Sequence, residues 1–325
     1  MRAVVCSEYG PIEGLSIRSV PAPAMKSGAV RIAMKIASIN PPDVLMPQGK
    51  YHVKPPLPFI SGIEGAGVVL EVAHDVPDFR VGDRVMTYAG LGCFADEVVV
   101  PATRVFKTPA EMDDETAAGF VLVYGTAHHA LVESAAVRKG ETLVVLGASG
   151  GIGLASVQLG KALGARVIAV ASTPEKLAKC KEHGADELLK SDEPLRDRIR
   201  ELTNDVGADV ILDLVGGSAT DSALRGIAPY GRYVIGGYAS GIVPNIKANL
   251  VLLKQARVIG ASFRLLLERA PDLAAGNVHN LFSLWERRLL RPEVTARYRL
   301  DDFAQALKRV ADRQAIGKTA LLVDA

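Results

Sequence analysis

The segment from Thr142 to Lys176 constrains the fold of this chain more than any other. It opens with an unbroken apolar run over residues 142–146, which is typical of a strand buried on both faces. A glycine-rich turn, GASGGIG at positions 147–153, leads into an amphipathic pattern, and a second apolar run covers residues 166–170. Strand, helix and strand in this order predict a βαβ unit whose two strands are parallel.

The glycine turn predicts a dinucleotide site. Glycines let the backbone approach a pyrophosphate, while the N–H groups and the positive dipole end of the following helix attract it. The spacing departs from G-x-G-x-x-G because Ala148 takes the place of the first glycine, so the prediction depends on the strand and the helix that flank the turn. The residues that we expect to contact the pyrophosphate are Ser149, Gly150, Gly151, Ile152 and Gly153.

The same letters also fit the glycine motif of short-chain dehydrogenases. That family needs a catalytic Tyr-x-x-x-Lys pair, and none of the 8 tyrosines here has a lysine four residues later. Its glycine motif also normally opens the chain, whereas here the turn begins only at Gly147. We therefore set this interpretation aside.

The end of the second strand indicates which dinucleotide is preferred. NAD sites carry an acidic residue about 20 residues past the glycines, on the ribose 2′-OH, but residues 171–176 here read ASTPEK. Thr173 and Pro174 suit the cap and the first turn of a helix. Ser172 and the Lys176 ammonium would attract a 2′-phosphate, although an acidic residue stands between them. One or two charge-assisted hydrogen bonds of roughly 1.5–3 kcal/mol each predict that NADPH is preferred over NADH by about ten- to several hundred-fold.

Composition excludes several classes of function. The chain has 325 residues, 49% hydrophobic and 23% charged, which is typical of a globular protein with room for two domains. Its formal net charge of +2 is spread along the sequence, so we expect neither nucleic-acid nor membrane binding. The first residues do not fit a signal peptide, and no apolar run is long enough to span a bilayer, so we expect a cytoplasmic protein. Cys6, Cys93 and Cys180 are widely separated, which excludes a Cys-x-x-Cys metal site.

Short β-strands dominate the first part of the chain and predict an all-β, barrel-like module. The candidates, separated by proline or glycine, are residues 2–6, 15–20, 29–38, 65–72, 84–88 and 94–100. Several prolines break the stretch from Asn40 to Ser61, so we expect an ordered loop there. Loops of this kind often carry function.

From Asp113 onward, helices and strands alternate. A helical segment to about Val132, with a break near Gly125, leads into the βαβ unit. The alternation beyond it predicts a doubly wound parallel sheet of the Rossmann type. Its further strands are expected at 187–190, 209–214, 232–235 and 257–262.

The end of the chain is expected to return to the first module. Helices at about 270–290 and 302–313 are followed by a strand at 319–323. The predicted domains are residues 123–262 for the cofactor and residues 1–122 plus 263–325 for the substrate, with the cofactor between them.

Together these features resemble the medium-chain dehydrogenase/reductase superfamily, and within it the zinc-free quinone oxidoreductase, or zeta-crystallin-like, branch. The features that carry the resemblance are the β-rich first module, GASGGIG at 147–153, ASTPEK at 171–176 and a terminal Gly317-Lys318. The resemblance covers nearly the whole chain. It implies a GroES-like barrel domain beside an NADP(H)-binding Rossmann domain, and a homodimer formed through the edge strand of the Rossmann sheet.

The resemblance also indicates that no metal takes part. Zinc members of the superfamily carry a ligand cysteine after the third strand and a Gly-His-Glu sequence downstream, and here Asn40 and Gly62-Ile63-Glu64 stand at those positions. An isoleucine offers a metal no donor atom. His128 and His129 are adjacent, so on a helix we expect their rings to point in different directions.

Without a Lewis acid, the hydride acceptor must itself be electrophilic. A quinone meets this condition, because hydride from C4 of NADPH gives a delocalised hydroquinone anion, and we expect NADPH-dependent quinone reduction. An α,β-unsaturated carbonyl compound or an enoyl thioester meets it too, so a double-bond reductase is an alternative. A second alternative is a non-catalytic NADPH-binding protein with a structural or regulatory role, as the lens crystallins of this branch suggest.

The proline-rich loop supplies the catalytic candidates. In the resembled branch it carries an asparagine, an acid and two tyrosines; Asn40, Asp43 and Tyr51 match, whereas Leu45 replaces the first tyrosine. Tyr51 is the expected donor to the substrate oxygen, unless it merely packs at the loop edge. Asn40 is expected near the ribose or the nicotinamide, or else caps the turn that it starts. For Asp43 we favour a structural role over that of a general base, since quinone reduction abstracts no proton.

Further cofactor contacts are expected at the carboxyl ends of the parallel strands, where such sheets bind ligands. For two of the candidates, Gly216 and Gly237, an alternative interpretation is a turn glycine that contacts no ligand. The candidates are Thr126, Val215, Gly216, Gly236, Gly237 and Phe263, together with Lys318 as the counterpart of the family's terminal lysine.

Overall fold

The computed structural model describes residues 1–323 and contains two compact units. One unit comprises residues 1–122 and the segment that starts at Pro292, and the other runs from Val123 to Arg291. The second boundary thus lies at 291/292 and not at the expected 262/263. Residues after 262 pack within the cofactor unit: the Phe263 ring lies against Gly125, where an added Cβ would be 2.5 Å from the ring.

The elements are numbered in chain order. The strands are β1 (Arg2–Cys6), β2 (Ser16–Ser19), β3 (Ala29–Ile39), β4 (Phe59–Ile60), β5 (Glu64–Val72), β6 (Arg84–Tyr88), β7 (Glu97–Pro101), β8 (Val105–Lys107), β9 (Thr142–Leu146), β10 (Arg166–Ala171), β11 (Glu187–Lys190), β12 (Ala208–Asp213), β13 (Ile227–Ile235), β14 (Arg257–Gly260), β15 (Val294–Arg299) and β16 (Lys318–Leu322). The α-helices are α1 (Pro41–Leu45), α2 (Asp114–Ala118), α3 (Val121–His128), α4 (Gly151–Ala162), α5 (Pro174–Glu182), α6 (Leu195–Leu202), α7 (Ser218–Arg225), α8 (Ala248–Lys254), α9 (Phe263–Arg269), α10 (Pro271–Glu286) and α11 (Phe303–Ala311).

The second unit contains a six-stranded sheet in which every two neighbouring strands are parallel. Its strand order is β11-β10-β9-β12-β13-β14, so the chain reverses its direction of winding between β9 and β12. Val144, Ile168 and Ile211, from three adjacent strands, are fully buried in one apolar core. The predicted doubly wound sheet is confirmed, and its ligand site is expected outside the carboxyl ends of β9 and β12.

The first unit consists mainly of antiparallel strands. Its larger sheet has the order β15-β16-β3-β5-β6-β8, with β7 also paired to β3, and its smaller sheet has the order β2-β1-β4. The last strand, β16, returns to pair with β3, as expected, and places Thr319 opposite Ile39. This pairing brings the start of β16 beside the end of β3, and β3 in turn pairs Ser38 with Glu64 of β5.

Two local predictions need correction. The stretch expected to be a loop contains the short helix α1 and the two-residue strand β4. The helical segment that starts near Asp113 breaks at Gly119 and not at Gly125. An added Cβ at Gly119 would lie 3.0 Å from Lys318 Cε. Gly125 lies inside α3, where the Phe263 ring occupies the space that a side chain would need.

Across residues 1–323, none of the helices has both the length and the apolar character that a bilayer crossing requires.

Candidate cofactor and active site

The glycine turn after β9 has the geometry that a bound pyrophosphate requires. Helix α4 begins after Gly150, and no side chain caps it. A Cβ added to Gly150 would meet only the Gly147 carbonyl, at 3.7 Å, so the space above this residue is open. A Cβ on Gly153 would lie 2.3 Å from that same carbonyl, so only glycine allows the turn to pack this closely on the helix. The turn therefore fits a diphosphate held by backbone N–H groups.

A hydroxyl and an ammonium meet at the end of β10. Lys176 Nζ donates to Ser172 Oγ at 3.3 Å, and Ser172 is exposed. Thr173 caps α5 by accepting the Lys176 N–H at 3.3 Å, and Pro174 starts the helix, which confirms the predicted cap. The first turn of α5 and these two side chains thus face one small region, which suits a phosphate monoester.

Asp213, the last residue of β12, organises the loop that follows it. The carboxylate is fully buried, and its Oδ1 accepts the N–H groups of Val215 and Gly216, each at 2.8 Å. Its Oδ2 accepts the Thr220 hydroxyl at 2.6 Å and the Tyr233 hydroxyl at 2.7 Å. Sequence reasoning missed this role, although an acidic residue that ends a buried strand is a usable signal.

The candidate glycines after β12 and β13 differ in how much space a side chain would have at each position. Gly216 has φ +71°, and a Cβ there would lie 2.7 Å from the Ile242 carbonyl. At Gly236 a Cβ would meet Leu214 Cδ2 at 2.8 Å, whereas at Gly237 it would meet only ordinary contacts, from 3.5 Å. Gly216 is therefore needed for its backbone conformation and packing, whereas a side chain at Gly236 would displace only the end of the Leu214 side chain and one at Gly237 would meet no close contact.

Thr126 and Phe263 lie in one part of the cofactor unit. Thr126 is buried in α3, directly after Gly125, onto which the Phe263 ring packs. Phe263 is itself buried at the start of α9. The two candidates are thus close in space, as expected of residues that line one end of a ligand.

Asn40 and Lys318, two further candidates, meet Glu64 in a buried polar cluster of the first unit. Lys318 Nζ donates to Asn40 Oδ1 at 2.6 Å and to Glu64 Oε1 at 2.8 Å. Asn40 Nδ2 also donates to Glu64 Oε1, at 2.8 Å. Glu64 is 0% exposed and Lys318 is 6% exposed, so the ion pair is shielded from water. The sequence pattern did not predict this role for Glu64, which it placed only beside Ile63.

Asp43 belongs to the same cluster and stabilises the start of α1. Its Oδ2 accepts the Asn40 N–H at 2.8 Å, and the side chain is 1% exposed. The pKa of Asp43 is raised to about 7, chiefly by burial and also by the Glu64 carboxylate, while the Asn40 N–H and the Lys318 ammonium oppose the rise. The carboxyl group is therefore close to half-protonated at neutral pH.

Tyr51 lies on the segment that connects α1 and β4. The ring is half-buried and stands 4.1 Å from the His52 ring, centroid to centroid. This segment is anchored at two other points: Tyr9 donates its hydroxyl proton to the Pro55 carbonyl, and the Gly10 N–H donates to the Pro47 carbonyl at 2.9 Å. The phenol of Tyr51 is thus presented on a tethered segment.

The positions at which zinc members carry ligands hold a different set of groups here. Ile63 is 2% exposed and brings only hydrocarbon to its site. The side-chain oxygen of Asn40 already accepts a hydrogen bond from the Lys318 ammonium. Nearby Cys93 is buried, and burial, together with the Asp43 and Glu64 charges, keeps the pKa of its thiol well above the usual value.

His128 and His129 face the same carboxylate, contrary to the expectation that they diverge. Each Nδ1 lies 3.2 Å from a different oxygen of Glu133. The chain widens into a π-helix over His129–Ser134, which changes the angle between successive side chains. Burial raises the pKa of Glu133, but the two histidines outweigh it and lower that pKa to about 2. In the described part of the chain, no group of three or more His, Cys, Asp or Glu side chains is arranged to hold a metal ion.

Known proteins share this architecture. The family model described as "Zinc-binding dehydrogenase" matches residues 151–275, and that of the "Alcohol dehydrogenase GroES-like domain" matches residues 26–110. Quinone oxidoreductase-like protein 2 homolog of Nematostella vectensis is 34% identical, over 98% of this chain and 88% of the relative.

Two solved structures with NADPH are also similar. A mycobacterial protein complexed with NADPH is 30% identical, with a TM-score of 0.94 over 99% of this chain and 100% of the other. Escherichia coli quinone oxidoreductase complexed with NADPH is 25% identical, with a TM-score of 0.93 over 99% and 100% of the two chains. Because a relative that matches 98% of this chain is 34% identical to it, the chain belongs to the medium-chain dehydrogenase/reductase superfamily, in its quinone oxidoreductase-like group.

Proposed function

We propose that this protein is an NADPH-dependent oxidoreductase that reduces a quinone. The cofactor is NADP(H), as in the two solved relatives that hold NADPH. The observation that carries the proposal is the contact between Ser172 and Lys176 at the end of β10, beside a glycine turn that is open above Gly150. A carboxylate at this position would select NADH instead.

The chain contributes binding and orientation to this reaction. When bound, NADPH supplies a hydride from C4, and the quinone that accepts it becomes a hydroquinone anion that takes up a proton from solvent. Ser172 and Lys176 hold the 2′-phosphate, and the first N–H groups of α4 hold the pyrophosphate. Thr126 lies at the nicotinamide end. The hydroxyl of Tyr51 donates a hydrogen bond to the substrate oxygen, where negative charge develops.

We also propose that Asn40 and Asp43 stabilise the position of this segment and do not contact the reactants. Their polar groups already bind one another and the Lys318–Glu64 pair. The cluster holds α1 in place, and α1 leads directly into the segment with Tyr51.

The reaction is proposed to need no zinc. The ammonium of Lys318 already contacts Asn40 Oδ1 and Glu64 Oε1, and Ile63 offers a metal no donor atom. Treatment with a chelator is therefore expected to leave turnover unchanged. Loss of activity that added zinc restores would contradict this part of the proposal.

The substrate class is tested by comparing acceptors at fixed NADPH. We expect 1,4-benzoquinone to be reduced with a kcat/KM at least about tenfold above that of cyclohex-2-enone or an enoyl thioester, since the quinone needs no electrophilic assistance. The hydroquinone product is identified by chromatography. A preference for the unsaturated compounds would indicate a double-bond reductase, and NADPH binding without turnover of any of them would indicate a non-catalytic role.

Replacing Tyr51 by Phe tests the proposed hydrogen bond. We expect kcat with 1,4-benzoquinone to fall by about ten- to a hundredfold, since one donor to a developing oxyanion is lost. The dissociation constant for NADPH, measured by fluorescence titration, is expected to stay the same. Tyr230→Phe, at a tyrosine that is 67% exposed, is the control and should leave both unchanged. A normal kcat in Tyr51→Phe would assign Tyr51 to packing only.

We further propose a homodimer that forms through β14. This strand is the edge of the parallel sheet, and edge strands tend to pair with another chain. Leu252 and Leu253, at the end of the preceding helix, are 77% and 76% exposed, and Val258 on the strand is 36% exposed. An apolar surface of this kind next to an open sheet edge supports self-association.

A further inference from the structure

Glu64 connects the buried ion pair to the start of helix α3. Its Oε1 accepts the ammonium of Lys318, and its Oε2 accepts the backbone N–H of Leu122 at 3.1 Å. Leu122 lies in the first turn of α3, where backbone N–H groups have no partner within the helix. A carboxylate at a helix N-terminus also interacts favourably with the helix dipole. Glu64 therefore caps α3 although it lies on a distant strand.

Lys318 contacts the residues just before α3 as well. Its side-chain stem packs on Gly119, the residue that ends α2, and an added Cβ at Gly119 would lie 3.0 Å from Lys318 Cε. The turn between α2 and α3 therefore has no room to move toward Lys318. Residues at the starts of β5 and β16 thus hold the beginning of α3 at two points.

The far end of α3 carries a cofactor candidate. Thr126 follows Leu122 by four residues, which is about one helical turn, so the two lie on the same face of the helix. Gly125, between them, is held by the Phe263 ring. In so short a helix, a shift of the first turn moves Thr126 with it.

We propose that Glu64 is a positioning residue for hydride transfer. By accepting the Leu122 N–H while Lys318 holds the carboxylate, Glu64 sets the position of α3 and, through it, of Thr126. The inference rests on the proposed function, in which Thr126 lies at the nicotinamide end of the cofactor.

Two double variants test it: Glu64→Gln with Lys318→Met, and Glu64→Leu with Lys318→Met. Both remove the Lys318–Glu64 pair as a whole, so neither leaves one of these two charges buried without its partner, which is the change that costs most stability. They differ only at position 64, where the glutamine side chain keeps an oxygen acceptor for the Leu122 N–H and the leucine side chain does not. Glu97→Gln is the control, because Glu97 forms a half-buried ion pair with Arg31 in the same unit.

Each variant is assayed for kcat and KM with NADPH and 1,4-benzoquinone, below its own melting temperature. We expect kcat of the leucine double variant to lie about tenfold or more below that of the glutamine double variant, because a small displacement of a positioning group is costly to rate. The KM for NADPH should differ by less than about twofold between them, since the phosphate contacts are unaffected. Glu97→Gln should keep the kcat of the unmodified protein. Equal kcat values in the two double variants, even with different melting temperatures, would reduce Glu64 to a structural role and overturn the inference.

Two measurements remain decisive if the protein does not reduce a quinone. Amide hydrogen exchange over residues 121–126 should be faster in the leucine double variant than in the glutamine one, and the fluorescence emission of bound NADPH should differ between the two. Lack of turnover by the unmodified protein would refute the proposed function alone. Equal exchange, or equal emission of bound NADPH, would refute the positioning role of Glu64.

Discussion

Lys176 lies one helical turn beyond Ser172, and their side chains meet at 3.3 Å. A phosphate monoester at this point accepts hydrogen bonds from the ammonium, from the hydroxyl and from the first N–H groups of α5. We therefore propose that the choice between NADPH and NADH depends on these few atoms at the end of β10.

Replacing Lys176 by Ala tests this choice. We expect kcat/KM for NADPH to fall by about tenfold, the loss of one charge-assisted hydrogen bond at a partly exposed site, while kcat/KM for NADH changes little. Steady-state kinetics with both cofactors measure the effect. Lys179→Ala on the same helix is the control, because Lys179 pairs with Glu182. Equal losses for the two cofactors would show that Lys176 does not contact the 2′-phosphate.

Helix α1 depends on a carboxyl group whose ionisation is opposed by its surroundings. The pKa of Asp43 is about 7 in the folded protein, against about 3.9 in an unfolded chain. Between these values the folded state retains a proton that the unfolded state has released. The free energy of unfolding therefore falls as pH rises from about 4 to about 7, by up to roughly 4 kcal/mol, and stays low above this range.

Replacing Asp43 by Asn removes this titration while it keeps an oxygen that accepts the Asn40 N–H. We expect the variant to gain stability relative to the unmodified protein as pH rises from 5 to 8, because the neutral amide has no proton to lose. Urea denaturation of both proteins at the two pH values measures the difference. If the difference in unfolding free energy is the same at both, Asp43 does not titrate in this range.

The glycine turn makes a prediction at the level of an element. In Gly153→Ala the new Cβ would lie 2.3 Å from the Gly147 carbonyl, so the turn must move away from α4. We expect the dissociation constant for NADPH, measured by fluorescence titration, to rise about tenfold or more as the N–H groups lose their alignment. Gly276→Ala is the control: a Cβ there meets nothing within 4 Å, so binding should be unchanged. Normal NADPH binding in Gly153→Ala would mean that the turn does not hold the pyrophosphate.

At the scale of the whole molecule, the proposed dimer depends on the exposed edge of the parallel sheet. Replacing both Leu252 and Leu253 by Glu puts two negative charges on the apolar surface beside β14, and like charges across a symmetric interface repel each other. We expect light scattering to report about 69 kDa for the unmodified protein, twice the chain mass of 34.4 kDa, and the monomer mass for the variant. A monomeric mass for the unmodified protein would refute the dimer.

Much of the cofactor unit was predictable because its signals are local. The apolar runs of β9 and β10, the glycine turn and the cap of α5 by Thr173 each depend on residues within a few positions of one another. The doubly wound parallel sheet followed from the alternation of helices and strands. Two predictions that depended on non-local packing failed. The second boundary lies at 291/292, and Gly125, on which the Phe263 ring packs, lies inside α3 while the helix break is at Gly119.

The amino-acid sequence by itself determined that this chain contains a βαβ unit with a glycine turn before its helix, because periodicity, capping and glycine geometry act over a few residues. Only the tertiary structure decided which groups meet in the first unit. Lys318 and Glu64 are 254 positions apart, and no local pattern links them. They pair because β16 and β5 both align with β3, which brings their ends together in a dry interior where an ammonium and a carboxylate must neutralise each other.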